Sequence, residues 1–186
     1  MKNLLLFVFA LSLFSCVHQD QKITFDLKFD DTQSNIGKGV GVDLVVIDAR
    51  IDDTIGEKIF SKEEKIKIIS SENLAEVLQK KISANLLQKG FKKGWAKTIE
   101  VEIVELNYQA KREFFVGSSN AAMKIKVTIN DNKKQSSFTK NFDAAFNAFH
   151  FIAPLESTDL ATINNLVTEV INNALSDKEV LSKLAQ

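Results

Sequence analysis

Two rhythms divide this chain, and together they restrict it to one class of fold. Residues 121–129 alternate strictly, with Met123, Ile125, Val127 and Ile129 on one side and Lys124 and Lys126 on the other. A period of two is the mark of a half-buried strand. Residues 98–110 carry the same rhythm through Ile99, Val101 and Ile103, and continue it to Glu105. Stretches of period 3.6 lie on either side. Leu74, Val77, Leu78, Ile82 and Leu86 form one helical stripe; Leu160, Ile163, Leu166, Val167, Val170, Ile171 and Ala174 form another. A helix with a single apolar stripe must lay it on a partner, and one face of a sheet accepts both.

The other elements fit that frame. Residues 23–29 alternate through Ile23, Phe25, Leu27 and Phe29, which predicts a strand. Residues 40–49 are more continuously apolar, which predicts a central strand. Short strands are expected near Lys58 and over 65–69. Ser71 is the expected N-cap of the first helix, with Glu72 near its positive end, and Gly90 the expected left-handed stop. Asp131 to Lys134 suits a hairpin turn. Residues 135–151 are ambiguous: Phe138, Phe142 and Phe146 are four apart, as on a helix, yet all even-numbered, as on one strand face. The preceding turn and the lack of a cap favour a strand. Pro154 ends it, Ser157 or Thr158 caps the second helix, and Asp177 restarts it. The expected fold is α+β: a two-layer sandwich with a mainly antiparallel or mixed sheet of about five strands. Two helices pack on one face.

The first residues carry an address. Lys2, the apolar run Leu4 to Leu13, and Ser15 before Cys16 have the layout of a secretory signal. A bilayer span needs about 20 apolar residues, roughly twice this run. Cys16 is the only cysteine, so no disulfide partner exists within the sequence. Leu13, Phe14, Ser15 and Cys16 resemble a bacterial lipobox, although Phe14 is bulkier than usual there. An ordinary signal with a stray cysteine beside the cut is the competing reading. The resemblance implies a thiol carrying a diacylglyceryl group, cleavage between Ser15 and Cys16, and acylation of the new amine. Stable anchoring takes two such signals, and the three chains of a triacylated cysteine imply an effectively permanent attachment. Val17, where an Asp would mark inner-membrane retention, implies the outer membrane with the domain in the periplasm. The expected organisation is a signal over 1–15, a lipidated N-terminus and tether over 16–22, and one domain over 23–186.

Charge and composition narrow the partners. With 24 basic and 24 acidic side chains, the chain lacks the excess of a nucleic-acid surface or a polybasic membrane patch. A single proline and seven glycines leave no low-complexity stretch.

The residue types that carry chemistry are sparse. His18 falls in the tether, and His150 reads as a packed or surface histidine. No metal spacing is present, and no metal or cofactor is expected. Gly37 to Gly41 invites a phosphate-loop reading, but these glycines precede a strand and no Gly-Lys-Ser/Thr follows, so they read as a turn. Asp30-Asp31 and Asp52-Asp53 lack EF-hand spacing and read as solvated loop acids. An enzyme would need carboxylates such as Glu102, Glu105 or Asp143 brought together. Phe91 and Trp95 interleave with Lys89, Lys92, Lys93 and Lys97 just past a helix end. That cluster reads as an interface surface or as a plain helix stop with Phe91 in the core. Phe114 and Phe115 fall at a strand–strand tip, where they either mark a partner site or fold back.

The chain resembles the YajG-type family of small bacterial lipoproteins. The resemblance rests on Cys16, on GVGVDLVVIDAR at 39–50, on NLAEVLQKKISANLLQKGF at 73–91, and on the strand and helix after Lys140. It implies an outer-membrane location and supplies no catalytic residues. The expectation is a non-enzymatic binding or structural accessory of the cell envelope, tied to the membrane through its lipid and meeting an envelope protein partner. A small-ligand or lipid-binding module, lined by the Phe-rich strand and the helices, is the alternative.

Overall fold

Three long antiparallel strands form the spine of the protein. The computed structural model describes residues 19–30, 32–113, 116–151 and 155–186. In chain order the elements are β1 (Gln21–Ile23), β2 (Gly41–Asp48), β3 (Thr54–Ile59), β4 (Lys65–Ser70), α1 (Leu74–Gln88), β5 (Lys92–Lys93), β6 (Lys97–Glu113), β7 (Val116–Asp131), β8 (Ser136–His150), α2 (Glu156–Ser176) and α3 (Lys178–Ala185). The class is α+β as expected. Eight strands and three helices replace the expected five and two among the described residues.

β6 is the hub of the sheet. β7 runs antiparallel along one side of it, and β8 pairs with β7 as an edge strand, so the Phe-rich stretch is a strand. The other side of β6 is shared. β2 lies parallel to its first half, from Lys97 to Ile103, and β3 lies parallel to Tyr108–Lys111 in its second half. β4 then pairs antiparallel with β3, and β1 pairs parallel with β4. All three helices cover one face, and Ile82, Ile99, Val101, Ile125, Val127 and Ile171 meet between the layers. The space left there is about 10 Å³, barely one water. No lipid-sized ligand fits it.

One irregularity makes the long strand work. The β6–β7 register slips between Ile103 and Glu105, leaving Val104 as an extra residue. A bulge moves the following side chains to the opposite face. Ile99, Val101 and Ile103 point into the core before it; Leu106, Tyr108 and Ala110 do so after it. The expected inward run to Glu105 therefore stops at Ile103, and Glu105 is exposed.

Carboxamide side chains replace strands at two places. Of the expected first strand, 23–29, only Ile23 joins the sheet, as the last residue of β1; residues 24–30 are paired with no strand. This segment is bonded by both α1 and α2. Asn164 accepts from the Asp26 N–H at 3.0 Å and donates to the Thr24 carbonyl at 3.4 Å. Asn172 accepts from the Asp30 N–H, while Asn85 and Lys81 donate to the Asp30 and Leu27 carbonyls. Phe25 and Leu27 are thereby buried, while Asp26 and Lys28 stay in water. β2 is likewise less central than its composition suggests. Beyond Val42 it has no strand on its outer side, and Gln79 of α1 bonds that free edge.

Helix ends follow local chemistry, with two corrections. Asn73, not Ser71, caps α1 by accepting from the Glu76 N–H at 3.2 Å, a contact of the kind worth about 1 kcal/mol. Gly90 takes the left-handed conformation at φ 85° that stops the helix, as expected. Leu155 precedes α2 without a side-chain cap, in place of Ser157 or Thr158. Asp177 ends α2 and caps α3 by accepting from the Glu179 and Val180 N–H groups.

Candidate functional site

A concavity lies where β2, β5 and β6 begin and β7 ends. It has a volume of about 460 Å³ and is lined by residues 39–41, by Lys92 and residues 94–97, by Asp131, Lys133 and Lys134, and by Gln186. Gly90 turns the chain out of α1, so that Lys92 and Lys93 can pair with Gly41 and Val42 as β5. A Cβ on Gly94 would stand 2.9 Å from the Gly41 Cα, so the backbones meet there only as glycines. The next residue is then thrown onto the surface. Trp95 is 74% exposed, while Phe91 is buried in the core. Of the two aromatic residues in the lysine cluster, only Trp95 is on the surface.

Asn132 and Asp131 fix the cleft. Asn132 donates from its side chain to the Trp95 carbonyl at 2.7 Å and to Thr98 Oγ1 at 3.1 Å, pinning the backbone beneath the indole. The Asp131 carboxylate is fully engaged. One oxygen receives the buried Lys97 ammonium at 2.7 Å, and the other receives the Lys133 and Lys134 N–H groups at 3.0 and 2.9 Å. The Lys97 bond, followed by that of the Lys134 N–H, holds this carboxyl far below the usual carboxylate range. It stays ionised and is no proton acceptor. Lys92 and Lys133 extend exposed around it, and the exposed Lys134 ammonium lies 3.7 Å from the oxygen that Lys97 holds, so the rim is cationic with one aromatic plate. This arrangement suits binding an acidic surface.

A second polar group is closed off. Five elements contribute to it. Lys58 Nζ of β3 is 2.5 Å from Asp159 Oδ2 of α2, and the Tyr108 hydroxyl of β6 donates to Asp159 Oδ1 at 2.6 Å. Ser119 of β7 bonds Tyr108 and lies 2.8 Å from Nε2 of His150 at the end of β8. Burial, then Asp159, pushes the Tyr108 hydroxyl far above its ordinary range. Tyr108, Ser119 and Asp159 are almost wholly buried. The group therefore works as a pin that fastens the start of α2 to the sheet. His150 is half-buried and packed, as read from sequence. Lys58, Tyr108 and Asp159 had not stood out, although Asp159 lies on the apolar stripe of α2, where a charge implies a buried counter-charge.

The acids considered for catalysis are spread over the uncovered face. Glu105 stands beside Lys124, which stands beside Asp143, and Glu102 pairs with Lys126 across β6 and β7. The Glu102 bond raises the Lys126 pKa. Acid and base alternate across the strands in these rows. Among the described residues no group of three or more His, Cys, Asp or Glu is placed to hold a metal ion. No described helix is long and apolar enough to cross a membrane. Ser15, Cys16, Phe114 and Phe115 lie outside the described residues.

Comparison with known proteins places the fold and the family. Among solved structures the chain is similar to the Xanthomonas campestris protein XCC0632 of family DUF330. The TM-score is 0.60 at 10% identity, over 88% of this chain and 94% of that one. It is also matched, at a TM-score of 0.46 and 9% identity, to a Helicobacter pylori homolog of a neuraminyllactose-binding hemagglutinin, over 87% of this chain and 97% of that one. The first likeness shows a shared fold. No curated protein sequence matches the chain. The match that names it is to the family described as uncharacterized lipoprotein, over residues 28–185, and the chain belongs to that YajG-type family.

Proposed function

We propose that the protein is a lipid-anchored, non-enzymatic binding accessory of the bacterial cell envelope. An acylated Cys16 holds it at the outer membrane, and the cleft beside Trp95 takes an acidic segment of an envelope protein. The observation that carries this reading is the separation of the two ends. β1 continues backwards toward the β6–β7 turn, whereas the Trp95 cleft opens at the opposite end of the hairpin. Seventeen residues of β6 at about 3.3 Å each put the ends roughly 50 Å apart. A domain fixed by one end thus presents its cationic cleft to the other side.

The test is a photo-crosslinking residue at position 95 in cells, with position 128 on the open sheet face as reference. The expected result is a discrete adduct from position 95 alone, lost in a Lys133→Glu/Lys134→Glu variant. Identical adducts from both positions, or none, would remove the cleft from the proposal. Cys16→Ser tests the anchor separately: the expected result is an unprocessed or mislocalised precursor.

A further inference from the structure

We infer that the end of the sheet that bears Phe149 and Phe151 rests against the bilayer that carries the lipid, with Phe149, Phe151 and Leu155 entering its interface. The inference rests on the proposed anchor at Cys16 and adds a second contact to it. Phe149 is 86% exposed, Phe151 94% and Leu155 71%, with Val116 beside them at 46%. Phe149 stands opposite Ser118 on the uncovered face of the sheet, just short of the tip, and Leu155 opens α2 at the same end. Two phenylalanines and a leucine exposed at one end of the sheet are costly to hydrate, and each is more exposed than Val45, Ile47 or Val104 on the open face.

The strand register says what covers them. Gln21 is level with Ile68 of β4, Ile68 with Gly56 of β3, and Gly56 with Tyr108 of β6. Followed backwards from Gln21, the chain heads toward the tip, because β1 is parallel to β4, β4 antiparallel to β3, and β3 parallel to β6. Five residues separate Gln21 from Cys16, a reach of at most about 18 Å. Five residues also separate Tyr108 from Glu113 at the end of β6, about 17 Å of strand. The two lengths agree. Cys16 is therefore within reach of the level of the exposed phenylalanines, so a bilayer that accepts its acyl chains can meet them.

Charge at this rim neither drives nor opposes the contact. Lys62, Lys65, Lys111 and Arg112 lie at the same end as Glu63, Glu64 and Glu156, so the charges there nearly balance. The contact is apolar in origin, and its strength should change little with salt. One geometric consequence is that the Trp95 cleft points away from the membrane.

The experiment uses the full acylated protein reconstituted in phosphatidylethanolamine–phosphatidylglycerol vesicles containing brominated lipid. Trp95 is the only native tryptophan and reports the far end. A Phe151→Trp reporter in a Trp95→Phe background reports the tip. The expected result is emission at position 151 quenched severalfold by the bromolipid and shifted to the blue, with native Trp95 unquenched. A second variant, Phe149→Asp in the reporter background, should lose most of the quenching while keeping its circular dichroism. The mass of the N-terminal peptide is read first: an unmodified Cys16 overturns the anchor and the level argument with it. Acylated protein with an unquenched reporter overturns the tip contact alone. Crosslinking from position 149 to a second copy or to another protein, without quenching, also overturns it.

Discussion

Gln79 reaches across from α1 to Val46 and completes the outer edge of β2, which beyond Val42 has no strand beside it among the described residues. Its side-chain oxygen accepts from the Val46 N–H at 2.9 Å while its nitrogen donates to the Leu44 carbonyl at 2.5 Å. Asn164 makes the same pair of bonds to the Asp26 N–H and the Thr24 carbonyl. In both cases one carboxamide engages the N–H of one residue and the carbonyl two residues earlier, as a paired strand would. Free strand edges invite association with other chains, and a covered edge does not.

Gln79→Leu should therefore destabilise the domain by about 1–3 kcal/mol, the cost of leaving two backbone groups without partners. Urea unfolding measures it. Hydrogen exchange at the Val46 amide should accelerate beyond what the global loss accounts for. An unchanged exchange rate there would mean that the edge is held by something other than Gln79.

The buried pair Lys58–Asp159 predicts an asymmetric mutational pattern. Lys58→Met alone leaves a carboxylate with 0% exposure facing no cation, and losses of about 3–5 kcal/mol are typical. Lys58→Met combined with Asp159→Leu should recover most of that loss, since neither partner then needs a charge. Denaturant midpoints of the two single variants and the double variant decide it. Simple additivity of the single losses would contradict the pairing.

Asp131 predicts an acid dependence. Its pKa is depressed in the folded protein, chiefly by Lys97. A depressed carboxylate contributes stability that is present above its unfolded value, about 3.9, and lost as pH falls through the folded one. The stability gap between the wild type and Asp131→Asn should be constant at pH 5–7 and narrow steadily below about pH 4. Unfolding midpoints taken in pairs at each pH cancel the other acids. A gap independent of pH would show that Asp131 is not ionically bound.

Deleting Val104 should abolish folding. Without the extra residue, Leu106, Tyr108 and Ala110 would all turn outward while Ile99, Val101 and Ile103 stayed in the core. Val104→Thr keeps the bulge at a partly exposed position and should cost under about 0.5 kcal/mol. Soluble yield and circular dichroism of the two variants provide the comparison.

The same positions explain what could be read in advance. Strict periods around Met123 and Leu78 marked a strand and a helix because burial on one face is a property of the local chain. The turn at Gly90 was legible for the same reason. The bulge at Val104 was not: an apolar residue there can extend a strand on either face, and only the partner register shows which. Gln79 and Asn164 look like ordinary polar helix residues, since their value depends on backbone some 33 and 138 residues away. The cleft was half legible. Trp95 among lysines drew notice, whereas Asp131 and Asn132 join it only because β7 ends opposite Lys97.

The course of the first described residues also sets how the domain bears a load. The chain departs from Gln21 along the strand axis, and its bonds to β4 lie across that axis. A pull from that end toward the β6–β7 turn strains those bonds together, in shear, and does not unzip them singly. Behind them, Asn164 and Asn172 grip residues 24–30 from the side. Tension on the N-terminus is thus spread at once over the sheet and a 21-residue helix, and the first bonds to carry it share it with the core.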